Sequence, residues 1–207
     1  MNARTEPSAR RLPIRWSLVA TSLLTLAAIV YLRKAEPDYE AKLAPLTLPG
    51  AIAQRVEARN FAIEVKRIRL ARAYLVRGDY LHPQPRMLKP DGIWLSALTE
   101  AEALKEPGYI GAQLRTRDGL VYLASGSSRP KLPGSNFNGQ ELATGLRGTG
   151  GYFFDVPSDR LHGAHLQFYW GPLAPGPMDH LIDIDLGLDG PKTQRLLQEA
   201  KPVLDLR

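Results

Sequence analysis

Cysteine is absent from the chain, which removes disulfide bonds, thiolate nucleophiles and cysteine-ligated zinc or iron–sulfur centres from consideration. A domain built without such staples is held by its own core. Histidine is scarce, and only His162 and His165 stand close together. A separation of three suits a metal pair on a helix, where the two positions share a face, whereas on a strand an odd separation points the rings apart. Gly163 between them marks a turn entering a strand, so no metal site is expected, and His82 and His180 are isolated. Phosphate-binding and dinucleotide-binding patterns are missing: Gly145, Gly148, Gly150 and Gly151 match neither, read as flexible connection, and leave no cofactor expected. No serine sits in a nucleophile elbow, because Ser125-Gly126-Ser127-Ser128 lacks the strand-to-helix frame that exposes one.

A concentrated charge of one sign is lacking as well. The formal net charge is +6, but residues 1–32 hold Arg4, Arg10, Arg11 and Arg15 against Glu6 alone, so half of the surplus resides there. What is left is too small and too scattered for the basic face of a nucleic-acid binder, and nucleic acid is not an expected partner.

One long uncharged apolar run is present. From Trp16 to Leu32 the chain reads WSLVATSLLTLAAIVYL, closed by Arg15 on one side and Arg33 with Lys34 on the other. As a helix rising about 1.5 Å per residue it reaches the short edge of what spans a roughly 30 Å hydrocarbon layer. Trp16, Leu18, Leu23, Leu24, Leu26, Ile29, Val30 and Tyr31 are the expected lipid-facing residues, with Trp16 and Tyr31 at the two interfaces. The arginines upstream outnumber the basic residues just downstream, so the positive-inside bias gives a cytoplasmic tail over residues 1–15 and an extracytoplasmic remainder. The chain is thus expected to span the cytoplasmic membrane once. A cleaved signal peptide shares the positive start and apolar middle. Cutting after Ala35 leaves Arg33 at the third position before the cut, and cutting after Ala27 leaves an apolar AIVYL terminus, so a retained anchor is the expectation.

Residues 33–59 read as a juxtamembrane spacer with Pro37, Pro45 and Pro49, and Ala51–Arg59 as a turn or two of helix. The folded domain is expected over residues 60–190. Phe61, Ile63 and Val65 alternate with polar positions, then Ile68 and Leu70 take the apolar role on the other parity, the pattern of a β-bulge. Lys66, Arg67, Arg69, Arg72 and Arg77 then line a solvated strand face. Tyr80–Pro90, with Pro83, Pro85 and Pro90, is expected as a loop. Ile93, Leu95 and Ala97 alternate as a strand. Tyr109–Thr116 and Leu120–Ala124 flank Asp118-Gly119, the turn chemistry of a hairpin. Ser125–Gly151 reads as a long loop. Tyr152–Val156, Ala164–Trp170 and Leu181–Leu188 complete the strands, and Pro191 opens a C-terminal helix over residues 191–207 that ends in a short tail. Six or more short strands without a helix-strand rhythm give a mostly β fold, an antiparallel sandwich behind one N-terminal transmembrane helix.

The segments FAIEV at Phe61–Val65, RTRDGLVY at Arg115–Tyr122, FFDVP at Phe153–Pro157, GAHL at Gly163–Leu166 and IDIDLGLD at Ile182–Asp189 carry a resemblance. Over roughly residues 60–190 the chain resembles the immunoglobulin-like domains of membrane-anchored or exported actinobacterial proteins of unknown function, a group similar to a small secreted mycobacterial antigen family. The resemblance implies an immunoglobulin-like sandwich and transfers no catalytic residues.

Asp179, Asp183, Asp185 and Asp189 form the acidic cluster. They lack the calcium-loop pattern and read as outward-facing strand residues. The aromatic residues offer a better surface. Tyr152, Phe168, Tyr169 and Trp170, with Arg129 and Phe137 on the long loop, are the candidate interaction residues. Together these readings predict a membrane-anchored extracytoplasmic interaction module without catalytic, cofactor or metal residues, an accessory subunit binding an envelope or membrane protein. It would bind through aromatic strand faces, an open sheet edge or the long loop. An envelope enzyme acting on glycan through Asp183 and Asp185, or a small-ligand carrier with a cleft between sheets, are the alternatives.

Overall fold

The apolar run forms a helix, α1 (Trp16–Ala35), three residues longer than the uncharged stretch because Arg33 and Lys34 continue its last turn, where cations meet the negative end of the helix dipole. At about 1.5 Å per residue its 20 residues reach roughly 30 Å. Its threonines bond within the helix: the Thr21 hydroxyl donates to the Ser17 carbonyl and the Thr25 hydroxyl to the Thr21 carbonyl, each at 2.9 Å. Leucines and rings over its whole circumference are exposed, Trp16 and Leu24 among them.

This computed structural model describes residues 16–35, 44–76, 84–125, 136–171 and 179–205. The chain divides into two units, Met1–Leu43 and Ala44–Arg207, and the second holds the strands β1 (Leu46–Ala51), β2 (Arg55–Glu57), β3 (Phe61–Ala71), β4 (Tyr74–Val76), β5 (Arg86–Leu88), β6 (Ile93–Ala103), β7 (Ile110–Arg115), β8 (Val121–Leu123), β9 (Arg147–Val156), β10 (His165–Trp170), β11 (His180–Asp185) and β12 (Leu204–Asp205), with helix α2 (Gly190–Gln198) between the last two. A five-stranded sheet runs β1-β11-β10-β7-β8 and a four-stranded one β2-β3-β6-β9. Pairing is antiparallel within both except where β1 lies parallel to β11. The sequence β11-β10-β7-β8 repeats the G-F-C-C′ order of the variable immunoglobulin sheet, and the expected immunoglobulin-like sandwich is what the chain forms.

Alternation builds the core between the sheets. Ile110, Ala112, Leu114, Leu166, Phe168, Ile182 and Ile184 from the five-stranded sheet meet Phe61, Ile63, Val65, Leu95, Ala97, Tyr152 and Phe154 from the other. The parity change in β3 is a register shift between Val65 and Arg67 that leaves Lys66 unpaired in the ladder, so Val65 and Ile68 both turn inward. A second, smaller apolar cluster lies on the other side of the four-stranded sheet. There Ala71, Tyr74, Val76, Trp94 and Phe153 gather with Leu88 and Leu204, under a three-stranded sheet ordered β12-β4-β5.

Four expectations change. Leu46–Ala51 and Arg55–Glu57, read as spacer and helical turn, are strands; Pro49 is tolerated because β1 is the edge of its sheet and an edge proline forfeits no ladder bond. Arg86–Leu88, within the expected Tyr80–Pro90 loop, is likewise an edge strand, paired to β4. The glycines Gly148, Gly150 and Gly151 belong to β9, not to a flexible connection. Their lack of side chain makes room: a Cβ on Gly150 would stand 2.6 Å from the ring of Phe137. Beyond α2 the chain continues as β12 in the small sheet. The hairpin and α2 stand as expected: Gly119 has φ +87°, and the Asp189 carboxylate caps α2 by accepting from the Lys192 amide at 2.7 Å.

Candidate functional site

The aromatic residues chosen as an interaction surface are core residues. Tyr152 points inward from β9, donates its hydroxyl across the sandwich to the Ile110 carbonyl at 2.9 Å, and meets Phe137 and Phe168 edge-on at 6.1 and 5.4 Å. Burial, with a smaller contribution from Tyr169, pushes its phenol above the ordinary range. Phe137 and Phe168 are buried with it. Tyr169 belongs to the outer face of the five-stranded sheet, yet it too is buried, lying over Gly111, where a Cβ would stand 2.5 Å from its ring. Trp170 is half-buried and stacked on Phe61 at 6.2 Å. Aromatics on both parities of β9 signalled a free face, but here both parities are covered, Phe153 by the second cluster. Arg129 lies outside the described residues.

Of the acidic and histidine residues, Asp183, Asp185 and His165 fall on the outer face of the five-stranded sheet. Asp189 caps α2, His180 pairs with Asp179 at 3.0 Å, and His82 lies outside the described residues. On that outer face Gln113 and Gln167, cross-strand neighbours, join through a 2.8 Å amide hydrogen bond. Beside them the Asp183 side chain, 14% exposed, takes Arg115 at 3.3 Å. His165 Nδ1 lies 3.2 Å from Asp183 Oδ1, an ion-pair distance without hydrogen-bond alignment. The register neighbours of His165 are Arg115 and Asp185. Asp185 folds its carboxylate back onto the Gly187 amide at 2.7 Å. Asp183 and Asp185 therefore serve the sheet, the first as a charge partner and the second as a turn acceptor. His162 donates from Nδ1 to the Leu188 carbonyl, 3.0 Å away, and does not join His165. Among the described residues no three histidine, aspartate or glutamate side chains group as metal ligands.

At the rim of this polar row the side chains change character. In the hairpin, Val121 pairs with Arg115 and Leu123 with Gln113, so these two apolar residues share the outward face of the polar ones while Tyr122 points at the core. Leu120, Val121 and Leu123 are 46, 48 and 55% exposed, and β8 is the last strand of its sheet. An edge strand with its apolar side chains in solvent is the feature that proteins ordinarily blunt with charge or cover. The sequence held this signal. Once Asp118-Gly119 fixes the turn, the register puts Val121 and Leu123 opposite outward-facing Arg115 and Gln113.

No protein-family model and no curated protein sequence matches the chain. Three solved structures are similar to it. An uncharacterised β-sandwich protein from Clostridium difficile shows 9% identity and a TM-score of 0.42, over 72% of this chain and 99% of its own. The secreted protein MPT63 from Mycobacterium tuberculosis shows 15% identity and a TM-score of 0.43, over 68% of this chain and 98% of its own. The yjhA protein from Bacillus subtilis shows 16% identity and a TM-score of 0.42, over 66% of this chain and 99% of its own. At these identities no family, actinobacterial or other, is assigned.

Proposed function

We propose that this chain is a membrane-anchored, extracytoplasmic interaction module, an accessory subunit that binds a membrane or envelope protein by adding one of the partner's extended segments to β8. The observation that carries this reading is the exposed apolar pair Val121 and Leu123 on the edge strand β8, with exposed Leu120 just before it. Of the three surfaces that the sequence offered, the aromatic residues are in the core and the long loop lies partly outside the described residues. The open edge is the one left. Strand addition suits it, because main-chain hydrogen bonds give affinity and alternate side chains give specificity. The polar row of Gln113, Gln167, Arg115 and Asp183 beside it supplies a hydrophilic rim. The exposed apolar helix α1 supports anchoring, which holds the module among membrane partners at high local concentration.

Photocrosslinking in native membranes tests this. A crosslinking residue at Leu123 is expected to capture one protein of defined mass, and the same residue at Glu57 on β2, the edge of the other sheet, none. Val121→Lys with Leu123→Lys is expected to abolish capture from a crosslinker at Leu120 while leaving the thermal transition unchanged. Equal capture from both edges, or none from β8, overturns the reading.

A further inference from the structure

Charge on the outer face of the four-stranded sheet is matched almost everywhere. Arg55 pairs with Glu57 and Glu102 at 3.1 and 2.8 Å. Lys66 pairs with Glu64 and Glu100 at 2.7 and 3.3 Å, and Arg147 with Glu100 and Glu102 at 3.5 and 3.2 Å. The exceptions are Arg67 and Arg69, both exposed and neither with a carboxylate partner among the described residues. They follow the bulge at Lys66, which sets them on the outer face two positions apart. Bulges commonly re-aim side chains in this way beside functional sites.

Next to the two arginines the sheet surface is recessed. One cross-strand row runs Arg67, Leu98, Gly151 and the next runs Arg69, Ser96, Phe153. Gly151 presents no side chain, and Leu204 of β12 closes the end. The result is a cleft of about 260 Å³ that Thr149 also lines. Its floor is apolar. Beside one wall the Tyr74 hydroxyl is buried against Ser96 without an aligned hydrogen bond, while the Ser96 hydroxyl donates to the Arg69 carbonyl at 3.3 Å.

We infer that this cleft binds a small amphiphilic carboxylate, its charged end held by Arg67 and Arg69 and its apolar body laid over Leu98, Gly151 and Phe153. Guanidinium forks match a carboxylate in shape and charge. The apolar floor selects a monoanion with a hydrocarbon body over a fully hydrated inorganic anion. A volume just under the roughly 300 Å³ where ligand pockets usually begin limits the body to a short alkyl chain or a single ring. The site stands apart from β8 and does not depend on the docking reading.

Amide NMR of the full chain in lipid nanodiscs, with hexanoate as the probe, tests it. Saturable shifts at Ser96, Leu98 and Gly151 are expected. Arg67→Gln with Arg69→Gln is expected to weaken binding at least about tenfold, the loss of a charge-assisted hydrogen bond, while preserving the dispersion of core amides. Arg72→Gln, which replaces an exposed arginine off the cleft, is expected to bind as the unaltered chain does. Equal shifts with hexan-1-ol overturn the proposal, because the arginines would then be irrelevant. Equal binding of inorganic phosphate overturns it as well, because the apolar floor would be idle. So does the absence of saturable shifts with millimolar hexanoate.

Discussion

Tyr152 ties the two sheets together through a single buried hydrogen bond to the Ile110 carbonyl, so its hydroxyl is a stability determinant in place of the recognition residue its sequence context suggested. Tyr152→Phe keeps the ring contacts with Phe137 and Phe168 and removes only the donor. A loss of about 1–2 kcal/mol is expected, read as a melting temperature lower by several degrees. The same burial sets a pH dependence. Tyr74, Tyr152 and Tyr169 all have phenols pushed upward by burial, so the folded state keeps protons that the unfolded chain gives up from about pH 10. Their contribution is fully present below that pH and is lost as pH rises above it. Phenolate absorbance should therefore rise in two stages, exposed tyrosines first and the buried ones only together with unfolding followed by circular dichroism. At Gly150 the constraint is steric. Gly150→Val places atoms where the Phe137 ring sits, and overpacking of about 1–3 kcal/mol is expected by chemical denaturation.

At the scale of elements, the bulge in β3 makes a prediction that a regular strand would not. Lys66 is the extra residue, and the pairs on either side, Val65 with Thr99 and Arg67 with Leu98, already stand in sequence on β6. Deleting Lys66 is therefore expected to leave a cooperative unfolding transition. Deleting Arg69 moves Leu70 to an outward position and takes its buried side chain out of the core, with a loss of about 2–5 kcal/mol expected. This bulge was legible in the sequence because apolar parity changes at one point, and so were the Asp118-Gly119 hairpin and the Pro191 start of α2, all local signals. What stayed hidden is non-local. β1 owes its existence to parallel pairing with β11, far along the chain, and Pro49 argued against it. The strand character of Gly148–Gly151 comes from pairing with β6, and Gly150 leaves the room that the Phe137 ring fills, neither of which glycine itself can announce. The burial of Phe153 was hidden too, because nothing in its own segment reveals that Tyr74 and Trp94 close over it. Of the two surfaces now singled out, the β8 row follows from hairpin register. The cleft does not, because its lining joins residues from β3, β6, β9 and β12.

For the whole molecule the decisive property is the fate of α1. A helix of about 30 Å whose leucines face outward all round, whose threonine hydroxyls are bonded within the helix and whose ends carry Arg15 on one side and Arg33 with Lys34 on the other meets the requirements of a lipid-solvated span. A signal sequence meets the same requirements of length and apolarity, and the two differ in what remains afterwards. With α1 retained, the chain stays in the membrane pellet after alkaline carbonate washing and its amino terminus is that of the full sequence. Protease added to intact cells then digests the carboxy-terminal unit and spares a tag placed before Arg4. A cleaved leader gives the opposite result: the protein passes to the carbonate supernatant with a new amino terminus after Ala27 or Ala35. Leu24→Arg together with Ala28→Arg sharpens the test. Each arginine at mid-span costs about 2.5–3.5 kcal/mol of insertion free energy, so the doubly substituted chain is expected to lose its membrane fraction while a carboxy-terminal unit already formed keeps its thermal transition, since α1 belongs to the other unit.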